Sequence, residues 1–219
     1  MRFSGPGSGS RHGEIIKATG ISGQGLTHPL NVLPHLGWIQ RERPFSETSD
    51  RRSLYRVADP FLHFLYRFGA PLASALRFED PMLVFRERVS PSIPGYMGLS
   101  VFEGVCAQWL QAHARARLGV SIASIGRYWS RDGQTEIDLI AELDDGRMLF
   151  GECKWSADTP LGVRVYARLR SKVEGLPFER WKSRAQYVLF ATGGFTDELR
   201  AIVATEGDVH LVDGAGLFQ

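Results

Sequence analysis

The feature that most constrains this chain is a pair of apolar segments, Glu136–Glu142 and Arg147–Trp155, separated by a loop containing Asp144-Asp145-Gly146. That triplet suits a three-residue hairpin turn with its glycine in the left-handed region. Such a turn pairs Leu143 with Arg147, and therefore sets Ile140 opposite Phe150, Asp138 opposite Glu152 and Glu136 opposite Lys154. Cross-strand partners share a face, as do residues two apart, so Asp138, Glu152 and Lys154 are expected to converge. A two-residue turn would slip the register by one and carry Asp138 to the other face.

Two carboxylates facing each other in mid-strand, among Ile, Leu, Phe and Cys, repel and must also be desolvated. At about 5 Å and an effective dielectric near 20 the repulsion is roughly 3 kcal/mol. Compensation has to come from a shared proton, the Lys154 ammonium or a divalent cation. Two acids without an accompanying His or Cys cluster favour hard Mg²⁺ or Mn²⁺ over zinc. A cation held there can polarise a phosphoryl oxygen and activate water, with the lysine orienting the nucleophile or stabilising charge. Glu103, on a helix ahead of the strands, could add a further carboxylate. The plain alternative is a solvated face on which Glu136 and Lys154 form an ordinary cross-strand pair worth ~0–1 kcal/mol.

The rest of the chain frames this pair. Residues 1–11, rich in Gly, Ser and Pro, read as a flexible lead-in. Within 12–58 a short helix at Glu14–Ala18, a turn and a second helix at Gly25–Leu36 precede two extended stretches, Gly37–Arg43 and Ser53–Val57, with Pro34 kinking or ending the second helix. Helix, turn, helix and hairpin suggest a small degenerate winged helix. Asp59-Pro60 opens an aromatic helical segment as N-cap and first helical residue. Its Phe61, Phe64, Leu65, Tyr66 and Phe68 are expected to be core or to line a boundary between domains. Prolines 81, 91 and 94 mark 59–97 as a helical linker with one helix near Met82–Val89. From residue 98 to 219 the predicted order is αβββαβαβ, implying an α/β domain whose mixed sheet is covered by helices on both faces.

Charge narrows the partners. The net charge is only +2, yet residues 1–58 hold eight basic side chains against four acids, which favours a phosphate-facing N-terminal segment. Arg41, Arg43, Arg51 and Arg52 flank the expected wing and are candidate contacts to a nucleic-acid backbone. Only four of the 26 basic residues are lysines: Lys17, Lys154, Lys172 and Lys182. Lys172, on the helix after the strand pair, is expected at the surface, within approach of phosphate. The six histidines are scattered without ligand spacing, and the two cysteines, Cys106 and Cys153, read as small core residues. No apolar run reaches membrane-helix length and no secretion signal opens the chain, so a cytoplasmic protein is expected.

The spacing Asp138 … Glu152-Cys153-Lys154 is similar to the PD-(D/E)xK nuclease signature. Longer stretches are more specific: Tyr55-Arg-Val-Ala-Asp-Pro-Phe-Leu, Ile125-Gly-Arg-Tyr-Trp, Thr135-Glu-Ile-Asp-Leu-Ile-Ala, Leu149-Phe-Gly-Glu-Cys-Lys-Trp and Leu189-Phe-Ala-Thr-Gly-Gly-Phe-Thr. Together they resemble the C-terminal region of archaeal-type ATPases, domain of unknown function 234, over about residues 12–213. The resemblance implies a restriction-endonuclease-like fold of core order αβββαβ, preceded by a winged helix. It also implies metal-dependent hydrolysis of a nucleic-acid phosphodiester, with DNA the expected substrate. Asp138 and Glu152 would hold Mg²⁺ or Mn²⁺ together with the Cys153 carbonyl, Glu103 would match the acid on the first helix, and Lys154 would position water. Members of that family carry an ATPase domain upstream, whereas this sequence has no G-x-x-x-x-G-K-[ST] loop, so it is not expected to hydrolyse ATP by that route. Two other readings use the same residues: a non-catalytic DNA-binding or regulatory module, and a subunit working with a separate ATPase or with a second copy of itself.

Overall fold

A computed structural model describes residues 9–156 and 158–218; residues 1–8 of the expected lead-in lie outside the described residues. The chain divides into two compact units, one of Met1–Arg43 with Glu47–Leu99 and one of Pro44–Ser46 with Ser100–Gln219.

In the N-terminal unit, helix α1 (His12–Thr19) ends at Gly20, whose φ of 72° permits the left-handed cap. Helix α2 (Gly23–His35) is capped by Ser22, which accepts a hydrogen bond from the Gly25 N–H. Pro34 falls in its last turn, where it stops the helix rather than kinking it. Strands β1 (Ile39–Glu42) and β2 (Leu54–Val57) pair antiparallel, Ile39 opposite Val57. Ser10, ahead of α1, exchanges two backbone hydrogen bonds with Tyr55. The Asp59 carboxylate caps the following turn at Leu62 N–H, as its place before Pro60 requires.

Beyond it the expected linker is nearly all short helical turns, from Pro60–Phe64 to Met97–Val101, with prolines 81, 91 and 94 at the first or second position of three of them. Prolines start such turns as readily as they end them, because the first turn needs no N–H donor. The aromatic segment divides in a way its composition does not reveal. Phe68 is buried against Phe64 and Tyr96, while Phe61 and Tyr66 are 69% and 61% exposed.

The C-terminal unit follows the predicted order. Helix α3 (Phe102–Arg117) leads into β3 (Ile122–Trp129), β4 (Glu136–Leu143) and β5 (Met148–Lys154). Helix α4 (Val163–Glu174) and a short α5 (Glu179–Lys182) then lead to β6 (Gln186–Ala191), α6 (Asp197–Thr205), β7 (Val209–Asp213) and a terminal turn, α7 (Gly214–Leu217). The strands form one mixed sheet in the order β3-β4-β5-β6-β7, the first three antiparallel and the last two joined in parallel by helical crossovers. Helices cover both faces of this mixed sheet.

One face packs Ile140, Phe150, Leu189 and Tyr187 under Tyr166, Leu169 and Val173 of α4. The other packs Leu139, Ala141, Leu149 and Phe190 under Phe102, Cys106, Trp109 and Leu110 of α3. Both cysteines are free and buried there, as core residues. Pro44–Ser46 belongs to this unit as well: the Phe45 N–H donates to the Arg127 carbonyl at 2.8 Å, and the Phe45 ring meets Trp181 edge-on at 5.8 Å. No described helix is long and apolar enough to cross a membrane.

Candidate active site

The hairpin between β4 and β5 has the register that its turn dictates. Gly146, with φ 79°, closes the three-residue loop, and the Leu143 N–H donates to the Arg147 carbonyl at 2.9 Å. Leu139 faces Gly151, Ile140 faces Phe150 and Ala141 faces Leu149. Pairing stops at Leu139 and Gly151. The Asp138 Oδ2 then accepts the Cys153 N–H at 2.9 Å, so that a carboxylate takes a ladder donor in place of a backbone oxygen. The cause lies on the other side of β4. Gly126 pairs with Ile140 but Tyr128 with Ile137, so Asp138 and Leu139 together oppose the single residue Arg127. This bulge breaks strict alternation, placing Ile137 and Ile140 in the same core and re-aiming Asp138 towards β5.

Glu152 and Lys154 lie two apart on β5, and their side chains meet at 2.6 Å, Nζ to Oε1. The same ammonium lies 3.8 Å from Asp138 Oδ2, completing the convergence. A fourth group joins them. Lys172 Nζ donates to the second Glu152 oxygen at 3.0 Å. Tyr166, Leu169 and Val173 form the buried stripe of α4, and Lys172, three residues after Leu169, sits at the stripe's edge above the β5 acid. The Glu152 side chain is 6% exposed, whereas that of Lys154 is 45% exposed and opens to solvent.

The two acids are driven apart electrostatically. Burial, then the neighbouring Glu152 charge, hold the Asp138 carboxyl above its ordinary range. Burial also presses the Glu152 carboxyl upward, but Lys154 and Lys172 outweigh it and hold that group low. Burial alone would lower the affinity of Lys154 for its proton; the charges of Asp138 and Glu152 reverse this and raise it. The result is a fixed Glu152–Lys154 ion pair beside an aspartate that resists ionisation, two carboxyls with separate tendencies.

Glu103 is engaged elsewhere. Its Oε2 lies 3.1 Å from the Nε of Arg127, a guanidinium only 6% exposed that also binds Glu136 at 2.6 Å. Glu136 therefore pairs with Arg127 on β3, not with Lys154 across the hairpin. Among the described residues no three His, Cys, Asp or Glu side chains converge as a metal cluster, so Glu103 does not join Asp138 and Glu152. What remains for a cation is two carboxylates with hard oxygen donors. That donor set fits Mg²⁺ or Mn²⁺ with a shell completed by water.

In the N-terminal unit, Arg41 and Arg43 converge on Asp50 at 3.1 and 2.7 Å, and Arg52 pairs with Glu47. Arg51 lines a cleft with Arg11, His12, Lys17, Arg41 and Tyr55. Sequence reading gave no weight to Arg11 and Lys17 as a pair, because only the fold brings α1 beside the hairpin. Arg127 was missed for a similar reason: an arginine inside an apolar strand was the available signal.

Residues 65–166 match the family DUF234, archaea bacterial proteins of unknown function. The matched stretch contains Asp138, Glu152 and Lys154, and the family is the one that the longer motifs resemble. Among solved structures, the crystal structure of a repair endonuclease from Pyrococcus abyssi is 16% identical at a TM-score of 0.35, over 50% of this chain and 45% of that one. The structure of an EndoMS–dsDNA2 complex is 14% identical at a TM-score of 0.35, over 74% of this chain and 51% of that one. The chain thus spans about half the length of these two. No curated protein matches it.

Proposed function

We propose that the C-terminal unit hydrolyses a phosphodiester bond of nucleic acid, with DNA as substrate and Mg²⁺ or Mn²⁺ as cofactor. The observation that carries this reading is the meeting of Asp138, Glu152 and Lys154 where the β4–β5 ladder gives way to a bulge. Asp138 and Glu152, with the Cys153 carbonyl, would hold the cation, whose chemistry is to polarise the phosphoryl oxygen and ease deprotonation of water. Lys154 remains charged and half open to solvent; its ammonium orients the attacking water and offsets charge that builds on the phosphate. In the metal-free protein Lys172 holds the second oxygen of Glu152 from the helix side. Arginines around the hairpin of the N-terminal unit supply sequence-independent phosphate contacts, and affinity falls with salt accordingly. The activity belongs to a cytoplasmic protein, partnered by DNA.

The test is cleavage of plasmid and single-stranded DNA with Mn²⁺, comparing the natural chain with Lys154→Ala. Loss of about 100-fold or more is expected, the scale of removing one charge-stabilising group. Undiminished cleavage would place the chemistry elsewhere. A second reading, a DNA-binding module without catalysis, is favoured by the internal pairing of Glu152 with two lysines. DNA binding equal in EDTA and in Asp138→Ala, with no cleavage, selects it.

A further inference from the structure

Both oxygens of Glu152 are occupied by ammonium groups, Oε1 by Lys154 at 2.6 Å and Oε2 by Lys172 at 3.0 Å. One Asp138 oxygen is engaged by the Cys153 N–H, and Glu103 is held by Arg127. Two carboxylates therefore face two lysines, which leaves the cluster formally neutral before any divalent ion arrives. An ordinary two-carboxylate cation site carries net negative charge, and that charge is the main source of its affinity. Lys154 has a place in the proposed chemistry. Lys172 comes from a different element, α4, and donates to Oε2 of the acid.

We infer that Lys172 is an internal competitor for the divalent cation: it neutralises Glu152 in the metal-free protein, and metal reaching that oxygen must displace its ammonium. The inference rests on Asp138 and Glu152 being the metal ligands. It makes Lys172 a positioning residue that sets metal affinity, not a group that acts on the substrate. The displaced ammonium belongs to a partly buried side chain, 24% exposed, so the exchange is a local rearrangement at the edge of α4. Two consequences separate this role from a purely structural one. Removing the charge should tighten metal binding while loosening the fold, and restoring a cation should reverse the first effect.

Mn²⁺ titration calorimetry in the absence of nucleic acid reads this directly, on the full chain and on Lys172→Met, Lys172→Gln and Lys172→Arg. Circular dichroism melts establish that each variant is folded. About tenfold tighter Mn²⁺ binding is expected in Lys172→Met, and in Lys172→Gln should the methionine variant fail to fold, with Lys172→Arg returned to the natural value. Affinity unchanged or weakened in a folded charge-removing variant, while Glu152→Gln abolishes binding, overturns the inference and leaves the metal site standing. Binding that is absent from every variant, or indifferent to Glu152→Gln, overturns the metal reading and the inference with it.

Discussion

Asp138 is held between opposing demands. Its carboxylate accepts a backbone N–H that the broken ladder would otherwise leave unpaired, yet burial and the nearby Glu152 disfavour its charge. For an acid raised in the folded state, the folded protein binds more protons above the unfolded value, here 3.8. Stability is therefore lost as pH climbs from that value through the folded one. Asp138→Asn keeps an oxygen for the Cys153 N–H and removes the charge. The variant should melt higher than the natural chain at pH 7 and lose this advantage as pH is lowered towards 3.8, while cleaving no DNA. Thermal melts across that range check it, and equal melting temperatures at pH 7 would contradict it. Gain of stability on loss of an acid is a sign of strain stored for function. Asp138, Glu152 and Lys154 were legible one by one because each lies on a strand whose partner is fixed by a short turn. The role of Lys172 was not: its helix is amphipathic by pattern, but only packing decides which edge lysine overlooks β5.

Among the elements, the β4–β5 hairpin was the most readable, since Asp144-Asp145-Gly146 specifies both loop length and pairing. The bulge at Asp138–Leu139 was unreadable because it depends on the pairing of β4 with β3, which the β4–β5 turn does not set. Parity alone would also have sent Glu136 to Lys154, whereas the bulge gives it to Arg127. Pro34 ends its helix, one of the two outcomes its position allowed, whereas prolines 81, 91 and 94 serve to begin turns. Close approach between strands has its own requirement. A Cβ at Gly151 would lie 2.9 Å from Leu139 Cβ and 3.3 Å from Val188 Cγ1. Neither is the far end of a long flexible chain. Gly151→Ala should therefore force β4 and β5 apart beside the acids, costing about 1–3 kcal/mol as overpacking does. Chemical denaturation measures it, and a change below about 0.5 kcal/mol would show that the strands yield freely.

At the scale of the whole molecule, the change of character near residue 98 does not capture every residue that the C-terminal unit uses. Pro44–Ser46 is part of that unit, bonded to the edge strand β3 at Arg127 and packed on Trp181. An edge strand left bare offers its N–H and C=O groups to other chains. A fragment of residues 98–219 should accordingly melt lower than the C-terminal transition of the full chain and self-associate more strongly with concentration. Sedimentation and melts decide this; identical behaviour would mean that the short segment contributes nothing. Sequence composition could not locate that contribution, because Arg-Pro-Phe-Ser reads as an ordinary turn until its tertiary neighbours are known.

Two of the chain's four lysines lie on one carboxylate. Selective isotopic labelling of lysine would therefore yield a spectrum of very few resonances, half of them reporting from a single side chain's surroundings. An amine-directed reagent would find the same imbalance, with Lys154 open to attack and Lys172 sheltered until something draws Glu152 away. The scarcity of this one residue type makes the protein its own spectroscopic probe.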